Sequence, residues 1–410
     1  MTIRKYNHKN DLAHIKRIWK ECGWIDKIAE DGKYIEDFYS VGDAYVATMN
    51  GEAECAVHSS LGTIRYDTTD LKLGAVTAVT TSHIARKQGF AKKMTAELLA
   101  LQADQGCAVS ALGMFDQGFY DKVGFGTGSY DQFVSFDPAT LQVAGPYRSP
   151  RRLTTDDFEQ IHGAMRHRAR YHGGVNLDEA AIMKAELNWH DEPFGLGYFD
   201  GPGGTLSHFI WGEMKGEHGP YSISWRAYQT TEQLYELLAL IKSLADQVNS
   251  IKTIEFGEFQ FQDLLKMPFR TRRITEQSTH ANYSRSESYW QLRILNLETC
   301  INAMHCEGSE LRFNLDLTDP VGSFLAKSND WTGIGGSYII NLSSKSTLEK
   351  GTDDELPTLS ASVNAFSRLW FGVRPAASLA ITDQLAGHPD LLSAIDHAIR
   401  IPQPHLGWDF

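Results

Sequence analysis

The chain has 410 residues, of which 42% are hydrophobic and 22% charged, so it is expected to form several globular domains rather than to be disordered. Its formal net charge is −12, which argues against the basic surface that nucleic-acid binding needs. The five cysteines are scattered and include no C-x-x-C pair, so we expect no metal site and a reducing, cytoplasmic setting.

The sequence also gives no sign of membrane insertion or export. The first ten residues are polar, so a secretory leader is not expected. No run approaches the roughly 18 apolar residues of a membrane-spanning helix, and we predict no membrane partner.

The first part of the chain, residues 1–145, predicts a mixed α/β sheet. Apolar residues recur at helical or strand-like spacing throughout it. In chain order the predicted elements are a helix at 11–22, strands at 41–49 and 73–81, a helix at 89–105, and strands at 108–114 and 132–136. Such a sheet is expected to bind its ligand where the strands end.

A linker and a second α/β part follow. Turn formers and three prolines at 137–150 predict the linker, and the second part is assigned to residues 151–285. Its predicted elements are a helix start at 155–159, strands at 194–200, 205–211 and 221–228, a long helix at 234–248, and a strand at 253–258. The order repeats that of the first part, which predicts a second, degenerate copy of the fold.

The third part, residues 286–410, predicts an α+β domain. It begins near Tyr289 and has strand patterns at 310–316 and 336–342. The segment 359–362 leads into a helix through Phe366 and Trp370, and two further helices are predicted after it. The chain ends at Phe410, preceded by the apolar Leu406 and Trp408, which favours a packed end over a frayed one.

Residues 86–91 have the composition of a phosphate-binding loop. Gly89 allows close approach of the backbone to a phosphate, and Ala91 is the next smallest residue. The amides of a helix N-terminus favour anions, and Arg86 and Lys87 add positive charge. A basic helix start with an ordinary glycine remains the alternative, because short glycine motifs are weak signals.

Tyr120 lies in the aromatic segment 119–125, which begins about thirty residues after the loop. A phenol can donate a proton to a departing thiolate. A core tyrosine packed between Phe119 and Phe125 is the alternative. The loop and the tyrosine together favour a site for a pyrophosphate-bearing acyl carrier.

These two segments resemble the motifs of the GNAT acetyltransferase superfamily. Arg86-x-x-Gly89-x-Ala91 is similar to its acetyl-CoA loop, and Phe119-Tyr120-x-x-x-Gly124-Phe125 to its F-Y-x-x-x-G-F segment. The whole chain resembles the enhanced-intracellular-survival (Eis) acetyltransferases, strongly over 74–130 and more loosely after 150. The resemblance implies tandem GNAT folds followed by a sterol-carrier-like domain, and a homo-oligomer, in this family a hexamer.

The resemblance also implies roles for individual residues. Tyr120 is expected to be the general acid, and the terminal carboxylate of Phe410 the base. Acetyl-CoA is the implied co-substrate, and the residues implied to contact it are Val79, Thr80, Thr81, Arg86, Lys87, Gln88, Gly89, Phe90, Ala91 and Asp116. The family often has three arginines before the glycine, and this chain has Arg-Lys-Gln, which predicts weaker phosphate contact.

The acceptor is expected to be a cationic primary amine of aminoglycoside, polyamine or lysine type. Trp24, Asp26 and Phe38 are the candidate residues that contact it. The sequence leaves open which amine is used. The alternative function is a lipid or acyl-CoA carrier, in which the apolar helices of the third part line a lipid pocket.

Overall fold

The computed structural model describes residues 2–410 apart from Lys27, Pro146, Phe256, Glu258 and Ser309, and the side chains of residues 28–31 and 33 also lie outside the description. The chain divides into two compact units. Unit 1 comprises Met1–Ser129, His172–Glu179 and Ser288–Phe410, and unit 2 comprises Tyr130–Tyr171 and Ala180–Glu287.

The helices and strands are numbered in chain order. The helices are α1 (His8–Glu21), α2 (Ile28–Tyr39), α3 (Phe90–Asp104), α4 (Gln117–Tyr120), α5 (Phe158–His167), α6 (Ala180–Leu187), α7 (Thr231–Ser243), α8 (Pro268–Thr275), α9 (Leu297–Asn302), α10 (Val363–Trp370), α11 (Ala376–Thr382) and α12 (Pro389–Ala398). The strands are β1 (Thr2–Lys5), β2 (Asp43–Met49), β3 (Glu52–Tyr66), β4 (Thr69–Thr81), β5 (Val109–Gly113), β6 (Gly126–Thr127), β7 (Asp131–Phe136), β8 (Arg151–Leu153), β9 (Val175–Leu177), β10 (Pro193–Tyr198), β11 (His208–Met214), β12 (Tyr221–Ala227), β13 (Ile251–Ile254), β14 (Tyr283–Glu287), β15 (Trp290–Ile294), β16 (Leu311–Thr318), β17 (Gly336–Leu342), β18 (Thr347–Lys350), β19 (Thr358–Ser362) and β20 (Leu385–Ala386).

The main sheet of unit 1 has the strand order β1-β2-β3-β4-β5-β15-β6, with β9 paired to β3. The β4–β5 pair is parallel, and β3 is antiparallel to β2, β4 and β9. Helix α1 begins at Asn7, whose side chain accepts a hydrogen bond from the Asn10 amide. Its buried stripe is formed by Ile15, Ile18 and Trp19, the spacing expected of an amphipathic helix.

Unit 1 contains a second sheet, built from the last third of the chain. Its strand order is β18-β17-β16-β19-β20, with β16 and β19 parallel. Helix α10 follows β19 and buries Phe366, Leu369 and Trp370. These apolar helix residues therefore belong to a packed core.

The sheet of unit 2 has the order β14-β7-β13-β12-β11-β10-β8. Its parallel pair is β12–β13, and the other pairs are antiparallel. Helix α7 buries Leu234, Leu237, Leu238 and Ile241, as the helical spacing predicts. The predicted fold class, α/β with mixed sheets and flanking helices, is confirmed.

Two strands belong to a different sheet from the one that the sequence analysis assigned. The strand at 132–136 was assigned to the first part, but as β7 it pairs with β13 and β14 in unit 2. The segment at 290–294 was assigned to the third part, but as β15 it lies between β5 and β6. The pattern of side chains predicts a strand correctly and does not predict its partner. Of the strand predicted at 253–258, Ile251–Ile254 forms β13, and Phe256 and Glu258 lie outside the described residues.

A buried ion pair joins β15 to the residue that follows β16. The side chains of Arg293 and Asp319 are 0% and 1% exposed, and their closest N···O distance is 2.6 Å. Arg293 also donates to the Val123 carbonyl, and Asp319 accepts from the Val321 and Ile334 amides. Both charges are therefore compensated by charge and by hydrogen bonds, which a buried pair needs to be tolerated.

Replacing Asp319 with Ala should lower the free energy of unfolding of unit 1 by about 3–5 kcal/mol, because the Arg293 charge stays buried without its partner. Equilibrium urea unfolding measures the change. Asp316→Ala, at an exposed position on β16, is the control and should shift stability by less than about 0.5 kcal/mol. Equal effects of the two substitutions would show that the pair does not constrain the fold.

Candidate active site

The parallel strands β4 and β5 separate at their carboxyl ends. Their ladder ends at the pair Val76–Leu112, although β4 continues to Thr81. The β3–β4 register shifts between Ala56 and His58, and Ala78 has a φ of +49°. This bulge bends β4, as an extra residue in a ladder does. Beyond Val76 the edge of β4 that faced β5 has no strand partner among the described residues.

The predicted residues Val79, Thr80 and Thr81 lie on this stretch of β4, which has one open edge. Thr80 and Thr81 pair with Ala56 and Cys55 on the other edge of β4, so the strand is held from one side only. An extended chain with amide groups can therefore hydrogen-bond to the open edge in the manner of an added strand. The geometry fits the amide-bearing arm of an acyl carrier.

The predicted phosphate loop leads into an open helix N-terminus. Gly89 is the N-cap of α3 at a φ of +80°, and no side chain caps the helix. A Cβ at Gly89 would meet nothing within 4 Å, so the space in front of the first amides is open. Lys87 also has a positive φ, +62°, an unusual conformation for a residue with a side chain. Arg86, Lys87 and Gln88 are exposed around this anion-favouring helix end.

Unit 2 has the same sheet geometry but a closed site. The parallel pair β12–β13 ends at Ile223–Thr253, where the register of β11–β12 also shifts. Arg226 spans the separation and donates to the Thr253 hydroxyl at 3.2 Å and to the Glu255 carbonyl at 3.1 Å. The next helix, α7, is capped by Thr230, whose hydroxyl accepts from the Gln233 amide. Unit 2 therefore presents neither an open edge nor an open helix end at this position.

Tyr120 lies at the end of the short helix α4 and is 2% exposed. Its ring is T-shaped to Phe119 at 4.9 Å and to Phe125 at 6.2 Å. Tyr120 belongs to the same apolar cluster as Val79, Phe90 and Ala91, so the structure brings the tyrosine segment and the loop together.

The phenol of Tyr120 is protonated at neutral pH. Burial, with a smaller contribution from Asp116, raises the pKa of Tyr120 well above its usual range. No group in the described part of the chain hydrogen-bonds its hydroxyl. A phenol in this state can donate a hydrogen bond to a developing anion, and complete proton transfer becomes harder as the pKa rises.

The tyrosine turn is held by residues far along the chain. Asn364 on α10 donates from Nδ2 to the carbonyl oxygens of Asp121 at 2.9 Å and Phe125 at 2.7 Å. Gln291 on β15 is fully buried and donates to the Asp121 carboxylate at 2.6 Å. The position of Tyr120 therefore depends on the third part of the chain.

Asp116, the remaining residue predicted to contact the carrier, caps this turn. Its carboxylate accepts from the Gly118 amide at 3.0 Å, so Asp116 is the N-cap of α4. The residue is exposed. It is therefore available to a ligand that approaches the tyrosine turn from solvent.

The C-terminal segment is fixed against the segment that contains β9. The His405 amide donates to the His172 carbonyl at 3.0 Å, and the Val175 amide donates to the Leu406 carbonyl at 2.9 Å. Leu406 and Trp408 are buried, which agrees with the expectation of a packed end. This segment leads Phe410 towards the end of β5.

Gly113, the last residue of β5, leaves room for Phe410. A Cβ added at Gly113 would lie 2.9 Å from the Phe410 carbonyl oxygen, closer than real Cβ contacts allow. The φ of Gly113 is not positive, so its backbone conformation does not require a glycine. The absence of a side chain is what makes room for Phe410. Phe410 thus contacts the end of β5, and the tyrosine turn begins a few residues after this strand.

The predicted acceptor residues differ in accessibility. Trp24 is 45% exposed, with its ring 5.2 Å from that of Trp19, and Asp26 is also exposed. Phe38 is only 2% exposed, and its ring lies 4.6 Å from that of His58. Phe38 therefore contributes to the core between α2 and the sheet, whereas Trp24 and Asp26 can reach a ligand directly.

Four contributors to the site were not identified from the sequence: Gly113, Phe115, Gln291 and Asn364. Phe115 is 76% exposed, an unusual position for a large apolar ring, and lies next to Asp116. In the sequence, the one indication of its role was that it directly follows the strand predicted at 108–114. Gly113, Gln291 and Asn364 act through contacts distant in sequence, which a local motif does not reveal.

A cluster of titratable groups in unit 2 is bound by an arginine of the same unit. Ligand atoms of Asp200, His208 and Glu236 all lie within 4.8 Å of one another. Arg148 donates to Asp200 at 2.6 Å and to Glu236 at 2.8 Å, and this contact lowers the pKa of Glu236 to about 2. Arg148 therefore holds both carboxylates in an ion-pair network.

No helix in the described part of the chain is both long and apolar enough to cross a membrane.

A comparison with known families finds a match for the N-terminal region of the chain. Residues 2–128 match the model of the acetyltransferase (GNAT) domain. No curated protein matches the chain significantly.

Solved structures share the fold over the whole chain. A conserved Enterococcus faecalis protein, described as a probable N-acyltransferase, is 18% identical with a TM-score of 0.79, over 100% of this chain and 99% of that one. A GCN5-related N-acetyltransferase from Anabaena variabilis is 16% identical with a TM-score of 0.79, and Eis1 from Mycobacterium abscessus is 14% identical with a TM-score of 0.74, each over 100% of both chains. Residues 2–128 therefore match a GNAT acetyltransferase domain, and the solved structures share the fold of the whole chain.

Replacing Asn364 with Ala should loosen the tyrosine turn, because two carbonyl oxygens lose their donor. We expect amide hydrogen exchange of residues 117–125 to accelerate at least about fivefold, since a net loss of ~1 kcal/mol gives that factor. Exchange measured by mass spectrometry tests this. Lys122→Ala, an exposed change in the same turn, is the control. Unchanged exchange in Asn364→Ala would mean that the turn is held by its own packing.

Proposed function

We propose that the protein transfers an acetyl group from acetyl-CoA to a primary amine by direct attack. The main support is one arrangement in a domain that matches the GNAT family: an open helix end and an open strand edge share an apolar cluster with a buried tyrosine. A GNAT domain implies acetyl-CoA as its co-substrate, and the open cradle at Gly89 leaves room for a diphosphate.

Acetyl-CoA supplies the activated acyl group as a thioester. The amides at the start of α3, including those of Phe90 and Ala91, hold the diphosphate with Arg86, Lys87 and Gln88 around it. The backbone of Val79, Thr80 and Thr81 holds the pantetheine amides and stabilises the negative charge that develops on the carbonyl oxygen. Asp116 lies at the mouth of the site.

Tyr120 acts as the general acid in this proposal. Its protonated phenol donates a hydrogen bond to the thiolate as the carbon–sulfur bond breaks. The surrounding rings of Phe119 and Phe125 exclude water and make this hydrogen bond stronger.

The carboxylate of Phe410, the last residue of the sequence, acts as the base. An ammonium has no lone pair, so the amine must lose a proton before it attacks the thioester. The contact of Phe410 with Gly113 places its carboxyl group at the end of β5.

The acceptor is a cationic primary amine, with aminoglycosides, polyamines and lysine side chains as the candidate classes. Exposed Asp26 and Asp116 attract the cation, and the exposed ring of Trp24 can contact it by a cation–π interaction. The resemblance to Eis proteins further supports a sterol-carrier-like third domain and assembly into a homo-oligomer. A panel of these amines with acetyl-CoA, monitored by release of free thiol, tests the proposal, and no release above hydrolysis with any amine would contradict it.

Tyr120→Phe should lower kcat by about 10²–10⁴-fold, the usual contribution of a general acid, and leave acetyl-CoA affinity unchanged. Thiol release and equilibrium binding measure the two quantities. Tyr235→Phe, an exposed tyrosine of unit 2, is the matched control and should keep full activity. Full activity of Tyr120→Phe would exclude the acid role.

Gly113→Ala should displace the Phe410 carboxyl group, because the new methyl group would lie 2.9 Å from its oxygen. We expect kcat to fall by about 10–100-fold, the scale of a misplaced catalytic group, with the KM for acetyl-CoA unchanged. Gly163→Ala, where a Cβ meets nothing within 4 Å, is the control. Removal of Phe410 should have an effect at least as large. Wild-type rates in both variants would exclude the carboxylate as the base.

A further inference from the structure

Phe115 is an exposed apolar residue beside the candidate active site. It is 76% exposed, although the burial of a large aromatic side chain is favourable. The backbone on its N-terminal side is fixed by the Met114 amide, which donates to the Tyr289 carbonyl at 2.7 Å. On the other side the Gly118 amide donates to the Asp116 carboxylate at 3.0 Å. A held backbone therefore presents this ring to solvent, as a ligand-binding side chain requires.

Phe115 and Asp116 both lie beside Tyr120. The ring centroids of Phe115 and Tyr120 are 6.4 Å apart, in a T-shaped arrangement. The Asp116 carboxylate acts on the phenol electrostatically, since its charge contributes to the raised pKa of Tyr120. Two residues before Phe115, Gly113 lies against the carboxyl group of Phe410. The ring and the carboxylate are therefore next to the groups to which we assign the acid and the base.

An aromatic ring and a carboxylate beside one another suit a cation. The quadrupole of the ring attracts a positive charge over its face, and the carboxylate supplies the opposite charge. An anion would be repelled by Asp116, and an uncharged group gains nothing from the quadrupole. The pantetheine arm of acetyl-CoA is uncharged and has the open edge of β4 to bind. The protonated amine is the reactant that fits the ring and the carboxylate.

We propose that Phe115 is a specificity-determining residue of the acceptor site, whose ring holds the protonated amine together with the Asp116 carboxylate. This inference rests on the proposed amine acetylation and adds the side chain that selects the acceptor by its charge. From this position the ammonium transfers one proton to the carboxylate of Phe410. One N–H bond breaks and one O–H bond forms, so the nitrogen has a free lone pair when it attacks the thioester.

Two probes of the same shape test the requirement for charge without acetyl transfer. Choline carries a quaternary ammonium, which aromatic faces bind and which cannot lose a proton, and 3,3-dimethylbutan-1-ol is its uncharged isostere. Calorimetric titration of each into the full-length chain saturated with coenzyme A measures binding. We expect choline to bind and the alcohol to bind at least about tenfold more weakly, because it lacks the positive charge. Absence of heat with choline, or equal binding of the two probes, would overturn the proposal.

Variants of Phe115 separate a cation site from apolar packing. Phe115→Leu keeps an apolar side chain without a quadrupole, so choline should bind about 2–30-fold more weakly, the range of cation–π strengths. Phe115→Trp should bind choline at least as tightly as the wild type, because Trp is the best aromatic partner of a cation. Phe269→Leu, which replaces a 62% exposed ring of unit 2, is the matched control and should bind choline normally. Equal binding of choline by Phe115→Leu and the wild type would refute the assignment.

Kinetics divide the acceptor from the acyl carrier. With an amine that is acetylated, Phe115→Leu should raise the KM for the amine by the same factor and leave the KM for acetyl-CoA unchanged. A higher KM for acetyl-CoA alone would place the ring against the carrier and contradict the proposal. Asp116→Asn, which keeps the N-cap but removes the charge, should also weaken choline binding. Absence of thiol release with every amine would contradict acetyl transfer, whereas the choline titration judges the cation site by itself.

Discussion

The buried contact between Arg293 and Asp319 is the constraint on which the candidate active site depends. Taking a guanidinium out of water costs several kcal/mol, so Arg293 is tolerated only where its partners stay in place. One of these partners is the Val123 carbonyl, three residues after Tyr120. Asn364 and Gln291 fix the same turn from two further points. The position of Tyr120 therefore depends on residues that follow it in the sequence by about 170 to 240 positions.

A comparison of the two parallel strand pairs shows that a few side chains determine whether a ligand can bind where the strands separate. In both sheets a register shift lies close to the point where the parallel strands separate. In unit 1 the next helix begins at Gly89 and stays open, whereas in unit 2 Thr230 caps the helix and Arg226 fills the separation. The backbone makes the opening, and the side chains decide whether a ligand can use it.

The local features of the site could be predicted from the sequence, and its long-range contacts could not. The loop at 86–91 and the tyrosine at 120 were recognisable because their chemistry depends on neighbours in the chain. Strand β3 was missed because most of its consecutive residues are buried, so it lacks a clear alternation of polar and apolar residues. Helix α2 was missed because Gly32 interrupts its pattern. The partners of β7 and β15, and the room that Gly113 leaves for Phe410, are set by tertiary packing alone.

The location of β15 has a consequence for the synthesis of the protein. A ribosome releases the strands β1 to β6 early, but the gap between β5 and β6 is filled only by residues 290–294. The segment that brings Phe410 to Gly113 is made later still. A nascent chain therefore holds an incomplete first sheet through most of translation, and it exposes strand edges that chaperones can recognise. A chain interrupted before residue 290 therefore cannot complete its first sheet.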